Sequence, residues 1–177
     1  MAVAITTPDP GPARAAQPAL LERLLEEHRD LLPALQAWVE RLPGAPADRA
    51  WQELSALAER LRLHAHVEDE TLFAAMADIL GPAALTGYLM QHDDIDEVLG
   101  QLLQTPGQLP EDAPELAGRL LWYCESHFEI EERHIFQEAL ARLTPQQWAE
   151  LDARARALAA RSGDGPPAPP QQATKVT

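Results

Sequence analysis

Apolar positions recur every three or four residues through most of this chain, in long runs separated by proline and glycine. Leu21, Leu24, Leu25, Leu32, Leu35 and Val39 form one stripe, and Leu54, Leu57, Leu61, Leu72 and Met76 a second. Leu85, Leu89, Ile95, Leu99 and Leu102 form a third, and Leu120, Leu121, Phe128, Ile135 and Ala139 a fourth. This spacing gives a helix one oily face. Pro43-Gly44, Gly81-Pro82 and the proline-rich stretch 105–114 interrupt the runs, so four long helices are predicted, over about 18–42, 48–80, 82–104 and 115–143. Pro18 suits a first turn and Asp48 an N-cap. Thr144-Pro-Gln-Gln147 has the form of a capping box and opens a shorter fifth helix, to about Arg161. Short connections between long amphipathic helices predict an all-α fold, an antiparallel up-down four-helix bundle with a short C-terminal fifth helix. Residues 1–16 and 162–177 are rich in Pro, Ala and Gly without an apolar period. Both ends are expected to be disordered, leaving 17–161 as one bundle domain.

Several ionisable residues fall on the oily faces. His28 shares a face with Leu24, Leu25 and Leu32, and His92 with Tyr88, Leu89, Ile95 and Leu99. His127 and Glu131 do so among Cys124, Phe128 and Ile135. The second helix offers two overlapping His-x-x-x-Glu pairs. At about 100° per residue, Glu68 and His64 lie about 40° and 80° from the centre of the stripe, and His66 and Glu70 about 120° and 160° away. His64 and Glu68 therefore face inward, and His66 and Glu70 face solvent.

An ungapped internal repeat agrees with that choice. His64-Ala-His-Val-Glu68-Asp-Glu-Thr-Leu-Phe73 recurs as His127-Phe-Glu-Ile-Glu131-Glu-Arg-His-Ile-Phe136, each copy about 35 residues after a lone histidine, His28 or His92. At about 1.5 Å of rise per residue, the candidates on all four helices meet within one or two turns of a common level. Ionisable groups aimed at a core are costly unless they are paired or bound to something.

Composition narrows what that something is. Leu and Ala dominate, aromatics make up 5 % and β-branched residues are scarce, which favours helices over sheets. A formal charge of −14 argues against a nucleic-acid or anionic-membrane surface. No apolar run approaches a membrane span and the amino end lacks a signal-peptide pattern, so a cytoplasmic location is expected. The one cysteine, Cys124, sits on an apolar stripe and is read as a core residue.

Histidine and glutamate at i and i+4 present a nitrogen and a carboxylate one above the other along the bundle axis. A carboxylate can bridge two cations about 3.5 to 4 Å apart. Four terminal imidazoles and two bridging carboxylates supply about eight bonds to two roughly octahedral ions that want about twelve, leaving positions for a bridging oxygen and a small ligand. With mixed nitrogen and oxygen donors and no thiolate pair, iron is the first choice, manganese the second and zinc the third.

At these residues the chain resembles the hemerythrin-like, or HHE cation-binding, family over about residues 18–143. Both His-x-x-x-Glu segments, each with a trailing acidic pair and Leu-Phe or Ile-Phe, look like its motif, and His28 and His92 match its lone helix histidines. The resemblance implies an oxygen-bridged, non-haem di-iron centre, with His28, His64, His92 and His127 as terminal ligands and Glu68 and Glu131 as bridges. It departs from the oxygen-carrying hemerythrins, whose third helix bears His-x-x-x-His: here Asp96 follows His92 at that spacing, and a fifth imidazole is lacking. The set looks more like the branch of iron-sulfur repair proteins and iron- or oxygen-sensing domains, without the cysteine-containing amino-terminal segment of the repair proteins.

Three further residues are candidates for an outer role or an extra ligand. Asp96 either orients His92 or coordinates directly, His134 sits a turn beyond His127, and Tyr88 lies one turn before His92. The tryptophans at 38, 51, 122 and 148 are read as packing residues. Three functions follow as expectations. One is a domain that binds or reacts with dioxygen, peroxide or nitric oxide as sensor, scavenger or iron store. The second is a di-iron enzyme of peroxide-breakdown or iron-sulfur-repair type. The third is a metal-free helical interaction module.

Overall fold

The computed structural model describes residues 17–162; of the two end segments expected to be disordered, all but Ser162, which is the last residue of the final helix, lie outside them. Helix α1 is Ala19–Arg41, with Pro18 in the N-cap position and a 3-10 turn, Leu42–Gly44, closing it. Helix α2 covers residues 47–80: α-helical Ala47–Glu68, a π-helical turn Asp69–Phe73 and α-helical Ala74–Leu80. Its N-cap is Pro46, and Asp48 lies inside the first turn, where its charge favours the helix dipole without capping a backbone N–H. Gly81 stops α2 at φ 87, a conformation that a side chain would strain.

A 3-10 turn, Pro82–Ala84, leads into α3, Thr86–Leu102, which starts four residues later than proline at 82 suggested. Helix α4 covers residues 113–142 and repeats the plan of α2: α-helical Ala113–Ile130, a π turn Glu131–Ile135 and α-helical Phe136–Arg142. Helix α5, Pro145–Ser162, opens with the expected capping box. Thr144 donates its backbone N–H to Gln147 Oε1 at 2.9 Å, and the Gln147 N–H reaches Thr144 Oγ1 at 3.3 Å.

Helices α1 to α4 form the antiparallel bundle, and α5 lies across α1 and α2. No strand forms among the described residues. The interior divides into two apolar clusters. One gathers Leu31, Leu35 and Trp38 of α1, Leu54 and Leu61 of α2, Leu99 and Leu102 of α3 and Leu120 and Phe128 of α4. The other gathers Leu20 and Leu24, Phe73 and Met76, Leu85, Ile135 and Phe136, and Trp148 of α5. Cys124 is buried in the first cluster, and burial together with the nearby Glu125 charge pushes its thiol up to about 12, as a core residue requires.

Two expected packing positions are corrected. Leu89 is 41 % and Trp122 61 % exposed, because each lies at the solvent edge of its stripe, beyond the reach of the neighbouring helices.

Candidate metal centre

Between the two apolar clusters every bundle helix contributes one level of polar residues: His28, His64 with Glu68, His92, and His127 with Glu131. All six are buried, none more than 8 % exposed. His66 is exposed and Glu70 pairs at the surface with Arg154 of α5, as the choice between the overlapping pairs required.

The inner atoms converge. His28 Nε2 lies 3.1 Å from His64 Nε2, 3.4 Å from Glu131 Oε2 and 4.0 Å from Glu68 Oε1. His64 Nε2 and His92 Nε2 lie 3.3 and 3.5 Å from Glu68 Oε2, and His127 Nε2 lies 3.2 Å from Glu131 Oε1. The atoms fall into two groups, His28, His64, Glu68 and Glu131, and Glu68, His92, His127 and Glu131, each mutually within 4.8 Å. The two carboxylates belong to both.

The outer atoms explain why the rings point inward. Each Nδ1 meets a side-chain oxygen: His28 that of Glu132 at 2.9 Å, His64 that of Glu27 at 2.7 Å, His92 that of Asp69 at 2.9 Å and His127 that of Gln91 at 3.1 Å. An Nδ1–H donated outward leaves the Nε2 lone pair facing the centre, the tautomer a metal needs.

The two repeats also hold each other. Glu132 and Phe136 of the second bond to and stack on His28 of the first, the rings 5.6 Å apart. Asp69 and Phe73 of the first do the same to His92 of the second, at 5.5 Å. Phe128 covers the other face of the first group, stacked on His28 at 3.9 Å and 8°.

Charge in this belt is frustrated. Burial raises the carboxyl of Glu68, but the imidazoles of His64, His92 and His28 outweigh it and hold the group below its usual range. Burial and the Glu68 charge push Glu131 well above that range. Burial alone would lower His92, but its hydrogen bond to Asp69 and the nearby Glu68 carboxylate carry it to about 9. His127 is depressed to about 3 by burial and by His92, and His28 is lowered by burial and by His64. Burial and the mutual charges of the belt thus pull its two carboxyls in opposite directions in the protein alone.

The donor set fits a pair of cations. Both oxygens of Glu68 and of Glu131, and Nε2 of His92 and of His127, are buried without a hydrogen-bond partner. Leaving such atoms unpaired costs about 1 to 3 kcal/mol each, and more when charged. Two donors about 2.1 Å from one ion lie about 3.0 Å apart at an octahedral edge and about 3.4 Å apart at a tetrahedral one. The nitrogen–nitrogen and closest nitrogen–oxygen separations here run from 3.1 to 3.5 Å.

The three outer candidates fare differently. Asp96 is 61 % exposed and bonds to Arg62 Nε at 2.6 Å, so it neither orients His92 nor reaches the centre. Asp69, across the interface, takes the role expected of it. His134 is exposed, because the π turn at 131–135 spends an extra residue and carries the following positions off the His127 face. Tyr88 is half-buried against Phe73, ring centroids 5.6 Å apart, and burial and the Glu131 charge raise its hydroxyl.

The sequence reading missed the four outer oxygens. The repeat held the signal: Glu27 and Gln91 each precede a lone histidine, and Asp69 and Glu132 each follow a motif glutamate. A cavity of about 30 Å³ adjoins the belt, lined by His64, His92 and His127 with Leu61, Ile95 and Leu99, and the Arg62–Asp96 pair flanks it on the exposed side. That volume suits a molecule about the size of water.

Residues 9–76, which include α1 and the first His-x-x-x-Glu segment, match the family model of the Hemerythrin HHE cation binding domain. The second segment, 127–136, lies beyond that range and is tied to the first by the internal repeat. No curated protein and no solved structure matches the chain.

Proposed function

We propose that this hemerythrin-like bundle binds two iron ions and uses them to bind or react with a small oxidant, dioxygen, peroxide or nitric oxide, as sensor, scavenger or iron store. One observation carries the reading: two donor groups share a pair of buried, unpartnered carboxylates, with every imidazole steered inward by an outer hydrogen bond. In this reading His28 and His64 would hold one ion and His92 and His127 the other, with Glu68 and Glu131 shared between the two. Bound iron supplies Lewis acidity and redox capacity there. Only four of the histidines face the belt, His66 and His134 being exposed, so reversible dioxygen carriage is not part of the proposal.

The protein's own contribution is positioning and exclusion. Glu132, Glu27, Asp69 and Gln91 fix the imidazole tautomers, and the apolar clusters keep bulk water from both ends of the belt. The small cavity beside His64, His92 and His127 favours a compact, uncharged ligand over a bulky substrate. None of the described helices is long and apolar enough to cross a membrane.

Metal analysis of protein purified without chelator, with spectra taken anaerobically and after air, tests this. About two irons per chain and a near-ultraviolet band that grows on oxidation are expected. A metal-free protein that cannot be reconstituted with iron would end the proposal. Fast peroxide breakdown, abolished in Glu68→Ala, would make the centre an enzyme, and ligand binding without turnover would leave a sensor.

A further inference from the structure

The two donor groups have matching inner atoms but different outer ones. Around the first, both imidazoles donate outward to carboxylates, His28 to Glu132 and His64 to Glu27. Around the second, His92 donates to a carboxylate, Asp69, but His127 donates to the neutral amide oxygen of Gln91. The internal repeat places Glu27 and Gln91 at equivalent positions, each immediately before a lone histidine. Their contacts are equivalent too, at 2.7 and 3.1 Å from the motif histidine of the same repeat. The remaining partners, Glu132 and Asp69, are both acidic. Glu27 against Gln91 is therefore the one charge difference among these four outer contacts.

A carboxylate behind an imidazole makes its other nitrogen a stronger donor and favours positive charge in front of it. An amide oxygen orients the ring without adding charge. Resting on the two-metal reading above, we propose that Gln91 makes the two positions unequal: a cation enters the His28/His64 position first, and the His92/His127 position is the weaker and exchangeable one. The small cavity touches both positions, lined by His92 and His127 of the exchangeable one and by His64 of the other.

The test is calorimetric titration of the metal-free full-length protein with cobalt(II), alongside the visible spectrum of the bound ion. Two steps separated by at least about tenfold are expected, since an outer partner is worth about 10- to 100-fold in affinity. Gln91→Glu should raise the weaker step by about that factor and leave the tighter one in place. Glu27→Gln should lower the tighter step and bring the two together. Gln91 and Glu27 are both partly exposed, so neither change threatens the core, and circular dichroism checks that each variant folds.

Two cobalt ions binding with equal affinity, or steps that neither variant moves by more than about twofold, would overturn the inference and leave the two-metal reading standing. Failure of the wild-type protein to bind cobalt at all would overturn both.

Discussion

Above His28 on α1 lie Leu31, Leu35 and Trp38, and below it Leu20, Leu21 and Leu24; the same alternation of oily segment, polar level and oily segment recurs on α2, α3 and α4. The oily clusters are held by the release of apolar surface from water, a term that needs no ligand. The belt between them is the reverse. Its carboxylates and imidazoles lose hydration on folding, and within the protein alone they regain only part of it, which is why Glu68 and Glu131 are pushed in opposite directions. A bundle that only needed to fold would fill this level with leucine. The clusters fix the frame, and the belt takes from the frame a stability that a bound cation would return.

The largest expected effect breaks the comparison at the belt. Loading metal should stabilise the protein by about 4 kcal/mol or more when the free ion exceeds its dissociation constant about a thousandfold, read as a shift of the urea midpoint between loaded and chelator-treated protein. An unchanged midpoint would mean the belt gains nothing from cations.

Next come the clusters. Leu54→Ala, fully buried in the first cluster, should cost about 2 to 5 kcal/mol in metal-free and loaded protein alike. Phe136→Ala should cost a similar amount or somewhat more and, because that ring stacks on His28, should also weaken metal binding. Equal metal affinity in the two variants would show that the stacking has no hold on the belt.

A third change reverses the usual sign. Glu131→Met removes a buried, unpartnered carboxyl without opening a large hole, and should make the metal-free protein more stable to urea by about 1 to 4 kcal/mol while reducing its metal content. Loss of stability in the metal-free variant would show that the carboxyl is satisfied by the protein itself. The smallest effect lies outside both regions: Thr144→Ala removes the cap of α5 and should cost about 1 kcal/mol with metal affinity untouched.

The inner donors were legible because each lies on the stripe of its own helix. His28 among leucines, and His64 and Glu68 rather than His66 and Glu70, follow from a 3.6-residue period that does not depend on what the helix packs against. The capping box at Thr144 was legible for the same reason, its partners being three residues apart. His134 misled because its spacing assumes an uninterrupted helix, and Asp96 and Leu89 because spacing along α3 says nothing about how far the neighbouring helices reach.

What the chain by itself determined, then, is everything local: the helices, the polar level on each and the repeat that pairs them. Tertiary structure decided which oxygen stands behind each imidazole, that Asp96 turns to Arg62 while Asp69 meets His92, and that one π turn begins just after Glu68 and the other at Glu131. These depend on how helices are rotated and set against one another. That rotation comes from packing many side chains at once, and no spacing along a single helix records it.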